Sequence, residues 1–284
     1  MKLEQLIDQF ELITDTEEGI TQLRKIILNL AFQGKLTKQL PKDEDAKKLA
    51  WRIKEEKQQL YESGEIRKPK DLGPISENEK KYKLPENWKW SKIGNSYYIE
   101  MGQSPPSKYY NTEGEGLPFY QGKSEFRDMY PKPEKWCSKP NKIAYKGDVL
   151  ISVRAPVGPT NICQEESCIG RGLAAIRPLC GVWTMYTIYC IRTFDERLSR
   201  QGSGSTFKAI TKKDLLNFCL PLPPKEEQQR IVQKIETLFS RVDELEQKVQ
   251  KDKEIDERLQ LAVLDDLQSA ETPEASRQSW QRLT

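Results

Sequence analysis

Six apolar residues, Ile231, Ile235, Leu238, Val242, Leu245 and Val249, follow one another at steps of four, three, four, three and four. A 3.5-residue apolar repeat between charged flanks is the seam of a coiled coil. Asp252 and Asp256 interrupt the seam, and Leu259 and Val263 resume it in register. At 1.5 Å per residue, a helix over 226–266 reaches roughly 60 Å. A helix so long and so polar cannot bury its stripe alone. It must pair with helices near the N-terminus, with a second chain, or with both.

Ahead of this helix stands Pro221-Leu222-Pro223-Pro224, which predicts a hinge, and before that Ile210 opens what looks like a closing strand. A globular domain therefore hands over abruptly to a helical spacer. At the other end, Leu3, Leu6, Ile7, Phe10 and Ile13 keep helical spacing. A second helix carries Ile20, Leu23, Ile27 and Leu30 after the capping residues Thr14-Asp15-Thr16 and ends near Gly34. A third carries Ala46, Leu49, Ala50, Ile53, Lys57 and Leu60, with Asp43 or Asp45 as cap. Residues 65–83 are rich in charge, Pro and Gly, and predict a linker with no core-forming segment.

From Leu84 the composition changes. Strands are expected at Tyr97-Tyr98-Ile99, Leu117–Tyr120, Lys142–Ala144, Asp148–Val153 and Gly172–Arg177, and a helix within Trp183–Arg197, where Met185, Tyr189 and Phe194 roughly keep helical spacing. Short strands with long irregular connections make this an α+β domain. The expected organisation is a helical region at 1–64, a linker at 65–83, a mixed α/β domain at 84–222, a coiled-coil helix at 223–266 and a tail at 267–284. Charge separates along the same lines. Residues 84–222 hold 19 basic and 13 acidic side chains, whereas residues 223–284 hold 10 and 14. A basic domain beside an acidic helix suits a polyanionic partner for the former, or is a solvated surface of uneven charge.

The chain contains no histidine, so His-based acid–base or metal chemistry is excluded. Its six cysteines form no CxxC pair and lack zinc-finger spacing, which predicts buried, reduced thiols. No stretch resembles a signal h-region or a membrane span. A cytoplasmic protein without membrane contact is expected.

Several pieces together resemble the DNA-specificity subunit of type I restriction–modification enzymes: LPENWKWSKIG (84–94), GQSPPSKYYN (102–111), GLPFYQGKSEF (116–126), GDVLISVRAPVGPTNI (147–162), IGRGLAAIRP (169–178) and, most specific, GSGSTFKAITKKDLLNFCLPLPPKEEQQRIVQKI (202–235). ITQLRKIILNLAFQGKL (20–36) resembles the family's helical end segment. The resemblance implies a target-recognition domain on long helices that form an antiparallel coiled coil. It implies double-stranded DNA as ligand, and type I methyltransferase subunits and a restriction (motor/nuclease) subunit as partners. S-adenosylmethionine, ATP and Mg would bind those partners, so the chain itself would be non-catalytic within an adenine-specific methyltransferase and ATP-dependent endonuclease complex. The family pattern has two recognition domains, and this chain shows one. It looks like a half-subunit, whose seam Ile231–Val249 would dimerise with a second copy or with another half-subunit.

Duplex reading needs cations for phosphates and long donor-rich side chains for base edges. The candidates are Gln103, Ser104, Lys108, Tyr109, Gln121, Lys123, Arg154, Arg171, Ser205, Thr206 and Lys208. Arg154 leads because it follows the apolar strand Val149–Val153 into a Pro/Gly turn; its alternative is a pairing with Asp148 or Glu165. The Gly202–Thr206 loop can touch a DNA backbone or merely make a tight turn. Tyr109, Tyr110 and Tyr120 suit a core better than base stacking. Two rival classes stand beside DNA reading. Ser104-Pro105-Pro106-Ser107 resembles an amino-methyltransferase motif, but Ser107 replaces its aromatic and no glycine-rich cofactor turn is near. Asp148 and Glu165 would serve a nuclease metal only with further ligands. A coiled-coil adaptor that binds protein is the third class.

Overall fold

A computed structural model describes residues 17–193 and 209–269. The predicted helix over Leu3–Ile13, the helical position Phe194 and the Gly202–Thr206 loop lie outside the described residues. Two compact units emerge among the described residues, one from 28–193 with 209–235 and one from 17–27 with 236–269.

The larger unit is the mixed domain, and it takes in more of the chain than composition suggested. Its strands are β1 Lys89–Lys92, β2 Tyr97–Met101, β3 Tyr110–Asn111, β4 Leu117–Tyr120, β5 Trp136–Cys137, β6 Ile143–Ala144, β7 Val149–Ser152, β8 Thr160–Ile162, β9 Ser167–Ile169, β10 Leu173–Pro178 and β11 Cys219–Leu222. They form an antiparallel sheet in the order β2-β10-β7-β8, a mixed sheet in the order β3-β5-β4-β9-β6 with β4 parallel to β9, and the β1-β11 pair. Tyr120, Ala144 and Ile169 of the mixed sheet pack with Leu150, Leu173 and Ala175 of the antiparallel one, so the core lies between the two. β7 (Val-Leu-Ile-Ser) is buried at all four positions, as in a strand with both faces covered.

Helix α1 spans Glu17–Phe32, α2 Ala46–Glu62 and the single turn α3 Ile93–Ser96. The cap of α2 is Asp45, which accepts from the Lys47 amide at 2.7 Å. The α2 stripe buries Ala46, Leu49, Ile53 and also Lys57. Helix α4, Thr184–Arg192, buries Tyr186 to Ile191 without a break, so it is a core helix with apolar sides all round rather than a one-stripe helix. The stretch 65–83 is not idle either: Tyr82 packs on Trp90 at 5.0 Å, and the Leu72 carbonyl accepts from the Lys92 ammonium at 2.6 Å.

Two sequence expectations change at the C-terminal side of this unit. Ile210 opens no strand. Thr211 caps the short helix α5, Lys212–Asn217, with its hydroxyl accepting from the Asp214 amide while the Asp214 carboxylate takes the Thr211 amide. This capping box was present in the sequence as Thr-x-x-Asp. Nor is Pro221–Pro224 an open hinge, because all four residues are buried. Pro221 pairs with Trp90 in the two-stranded sheet, where a missing amide donor costs no ladder bond on the outer side. Tyr186 donates its hydroxyl to the Pro221 carbonyl at 3.0 Å, and the Gln228 amide donates to Pro223 at 3.1 Å.

Helix α6 runs from Lys225 to Ser269 without interruption. Its first turns belong to the larger unit. Glu227, fully buried, accepts from the Trp88 indole at 2.8 Å and the Thr37 hydroxyl at 2.8 Å, and a carboxylate in a first turn also complements the helix dipole. Arg230 pairs with the buried Asp43 carboxylate. In the smaller unit, α1 and the distal part of α6 both bury an apolar face: Ile20, Leu23 and Ile27 on one, Leu238 and Val242 on the other. Arg24 meets Asp243 at 2.6 Å and Glu246 at 2.7 Å and lies over the Phe239 ring, whereas Ile20 lies beside Val249 and Gln250. The pairing is therefore antiparallel.

Four of the six residues of the expected dimerisation seam are covered within the single chain. Ile231, Ile235, Leu238 and Val242 are each at most 1% exposed within the single chain, so no second copy is needed to cover them. Leu245 and Val249 are half-buried. The large apolar residues that α6 leaves in solvent come later: Ile255, Leu259, Leu261 and Leu264.

Lys57 gives a measurable consequence. Its ammonium donates to the Gly94 carbonyl, but burial lowers its pKa to about 8. Because the folded pKa lies below the unfolded one, the unfolded chain binds more protons between about pH 8 and 10.5, and this residue's contribution to stability rises with pH across that window. Cys163, Cys180 and Cys219, each pushed up to about 11 by burial, act in the opposite sense above pH 9. The wild-type chain should therefore gain up to about 3 kcal/mol relative to Lys57→Met between pH 7 and 10.5. Parallel denaturant titrations that keep a constant difference over that range would refute it.

Candidate nucleic-acid interface

Three loops meet at one edge of the mixed domain: Gly102–Ser104 after β2, Gln121–Lys123 after β4, and Gly170–Gly172 between β9 and β10. Backbone bonds lock them together. The Gln103 amide donates to Ile169 at 3.0 Å, the Gly170 amide to Tyr120 at 2.8 Å, and the Gly102 amide to Leu173 at 2.9 Å. The Arg171 amide donates to the Ser104 hydroxyl at 3.2 Å. The approach is close enough to exclude side chains. A Cβ on Gly102 would stand 2.1 Å from the Gly170 carbonyl oxygen, and one on Gly172 would stand 2.2 Å from that of Gln121. Glycine is the residue that permits such backbone contact.

This arrangement brings Gln103, Ser104, Gln121 and Arg171 together from three separate segments, with Lys123 opening the 3-10 turn beside them. Arg154 joins the same edge. The Val153 amide donates to Gly172 at 2.9 Å, Arg154 bridges to Ala209, and the Ile210 amide donates to Val153 at 2.8 Å. The Arg154, Arg171, Gln103, Gln121 and Lys123 side chains are exposed, and Ser104 is half-buried.

Of the two alternative partners for Arg154, Asp148 is already taken. Asp148, 1% exposed, holds Arg177 through two bonds of 2.9 and 3.0 Å and accepts the Tyr145 amide at 2.9 Å. These bonds also commit the carboxylate that a nuclease metal would have needed. No group of three His, Cys, Asp or Glu side chains suited to a metal occurs among the described residues.

Lys108 and Tyr109 lie one step away, in the 3-10 turn Ser107–Tyr109. Tyr109 packs against the Phe119–Cys137–Cys168 core, and the Lys108 and Lys139 ammonium groups stand 5.1 and 5.6 Å from its ring centre. Lys139 was not among the sequence candidates. Pairing of β3 with β5 places it there, and no local motif signals that. Tyr110 stacks on Phe119 at 4.5 Å and donates its hydroxyl to Pro105. Burial raises its pKa, with Cys137 and Cys168 adding to the shift and hydrogen bonds from Gln121 and Ser104 opposing it. That tyrosine is the core post on which two loops lean. Ser205, Thr206 and Lys208 lie outside the described residues.

Chemically the edge offers amide groups that both donate and accept, two guanidinium forks and flexible ammonium groups, the set that reads base edges and phosphates. A profile described as "Type I restriction modification DNA specificity domain" matches residues 85–257, more than half of the chain. The chain belongs to this family. The match encloses every described member of the three-loop edge. A putative MjaX specificity subunit from Methanocaldococcus jannaschii is 43% identical over 184 residues, which are 64% of this chain and 42% of that protein. The EcoAI specificity subunit from Escherichia coli is 28% identical, with 84% of this chain and 43% of the relative covered. Among solved structures, the HsdS subunit from Thermoanaerobacter tengcongensis is 36% identical with a TM-score of 0.54, covering 84% of this chain and 55% of that one. A chain from work on assembly and conformational transition of the type I R-M system is 39% identical with a TM-score of 0.60, covering 78% and 56%. The family match takes in the strands of the mixed domain and most of α6, while the chain spans under half the length of these curated relatives. No helix among the described residues is long and apolar enough to cross a membrane.

Proposed function

We propose that this chain is a DNA-reading specificity module that recognises one half of a bipartite duplex site and carries no catalytic group of its own. The observation that carries this reading is the convergence of Gln103, Gln121, Arg171 and Arg154 on one exposed edge of a specificity-family domain. Backbone interlocking makes that edge rigid, which keeps donors at fixed spacing against base edges. Methyltransferase subunits, and a restriction subunit where one exists, bind the helices. S-adenosylmethionine, ATP and Mg belong to those partners.

A bipartite site needs a second reading unit. It is supplied by a second copy or by another half-subunit, and the free apolar residues Ile255, Leu259, Leu261 and Leu264 of distal α6 are the surface for it, since the proximal seam is already covered. Two copies on a two-fold axis read a palindromic site. Sedimentation of the chain with its methyltransferase tests this; one copy per complex counts against it.

Selection from a pool of randomised duplexes tests the reading itself, and the absence of any enriched motif at any salt sinks it. Within an enriched motif, Arg154→Ala is expected to relax one base position, at a cost of about 1–3 kcal/mol in discrimination, while binding to the remaining positions persists. An unchanged motif would remove Arg154 from base contact.

A further inference from the structure

β2 is an edge strand of the antiparallel sheet, and its outer side carries a group of cations that the three-loop edge does not include. The Lys212 ammonium, from α5, donates to the Ile99 carbonyl at 2.8 Å and stands 5.9 Å from the Tyr98 ring centre. Lys142 reaches the same strand and pairs with Glu100 at 2.8 Å. Arg67 and Lys70 come in from the stretch between α2 and β1, and both are exposed. Their charges, with that of Lys142, add to burial in lowering the Lys212 pKa, while Glu100 opposes the shift. The Glu100 carboxylate is already engaged: it accepts from the Tyr98 hydroxyl at 2.8 Å and from Lys142, and these bonds hold its pKa down against burial. Arg177, over the other ring contact of Tyr98 at 5.5 Å, is spoken for by Asp148. Lys142 and Lys212 therefore act on one carboxylate that Tyr98 and Lys142 already bond, and Arg67 and Lys70 add their charge at Lys212.

We infer that Arg67, Lys70, Lys142 and Lys212 form a contact track for a nucleic-acid phosphate backbone, continuous with the reading edge. The inference rests on the DNA-reading function proposed above and adds the segment 65–70 to the DNA-contacting surface. Continuity comes from the chain itself. Glu100, on β2, precedes the loop residue Gln103 by three positions, and Lys212 follows Ile210, which is bonded to Val153 beside Arg154. Crowded ammonium and guanidinium groups repel one another in the free protein, and a row of phosphates removes that repulsion while releasing counterions. Such contacts orient the reader and carry no sequence information. Lys212 also blocks the β2 edge against pairing with another strand, a device compatible with phosphate contact because its remaining N–H donors stay available.

The test uses the full chain with a 40-base-pair duplex of arbitrary sequence, titrated with salt, and with the randomised pool. Arg67→Gln combined with Lys70→Gln changes two exposed residues, so folding is not at stake. The double variant is expected to lower the slope of log affinity against log salt by about 2, near 0.9 per phosphate contact. Affinity should fall equally for enriched and arbitrary duplexes, with the enriched motif unchanged. Lys212→Gln is expected to lower the slope by about 1. If the wild type enriches a motif but the double variant keeps the wild-type slope, the track is refuted while the reading function stands. If the wild type enriches nothing yet the variant loses slope, the reading function fails and the backbone track remains.

Discussion

Val242→Asp is expected to separate α1 from the distal part of α6 while the sheets stay folded. Val242 is fully buried in the helical unit, opposite the face that carries Ile20, Leu23 and Ile27. A carboxylate there would be cut off from water, and the penalty for burying such a group amounts to several kcal/mol. The surrounding ion pairs cannot offset it. Arg24 bonds Asp243 and Glu246, but its side chain is 30% exposed and theirs are 55% and 51% exposed, and pairs of that kind contribute about 1 kcal/mol or less. Hydrogen exchange is the suitable measurement. Amides of 20–27 and 238–249 should lose protection, whereas those of β2, β7 and β10 should keep theirs. Unchanged protection in both helices would mean that this contact does not hold them. Association of copies, read by sedimentation, should fall with it if the second unit docks on distal α6, because that surface is presented by the same helix.

Asp148→Ala is expected to destabilise the mixed domain by about 3–5 kcal/mol, because it strands a guanidinium that is mostly out of water. Arg177 is 29% exposed at its side chain and gives two of its donors to Asp148, the carboxylate that also terminates the Tyr145 turn. For a unit of this size the loss corresponds to a fall in Tm of roughly 10 °C. The double variant Asp148→Leu with Arg177→Met should recover most of it, since a buried pair replaced by apolar groups of similar volume is often neutral. Calorimetry of the three proteins separates the possibilities, and a single-variant loss below about 1 kcal/mol would show that water or another group serves Arg177. The same substitution should leave the enriched DNA motif intact, because Asp148 sits in the core and not on the loop edge.

Much of this architecture is legible in the sequence. Apolar runs announced β2, β4, β6, β7 and β10, and periodicity announced α1, α2 and the heptads of α6. The elements that escaped are those with too few residues to show a period. β3 and β5 have two residues each, and β8 and β9 have three. β11 escaped because prolines look like a hinge until an edge partner, β1, is known. α5 was hidden differently: its capping box was visible, but six residues of Lys-Lys-Asp-Leu-Leu-Asn are too few to separate a helix from a strand entry.

The candidate site was legible as a set of residue types and not as a place. Gln103, Gln121, Arg154 and Arg171 were individually plausible, and each had an equally ordinary surface or turn explanation. Their meeting depends on glycine-to-carbonyl approaches at Gly102 and Gly172 that arise only when three connections cross. Arg67, Lys70, Lys142 and Lys212 were invisible for the same reason, since nearly 150 residues separate the first from the last.

By itself, the sequence determined the helix that must find a partner, the α+β class of the domain before it and the family motifs that run through both. Those properties follow from local periodicity and from short motifs, which a linear reading contains in full. Only the tertiary structure decided which partner covers the seam. Burial of Ile231, Ile235, Leu238 and Val242 within one chain answers that, because contacts between distant segments and not spacing choose the occupant of an apolar stripe. It likewise decided which cations share an edge, since charge proximity in space has no counterpart in residue number.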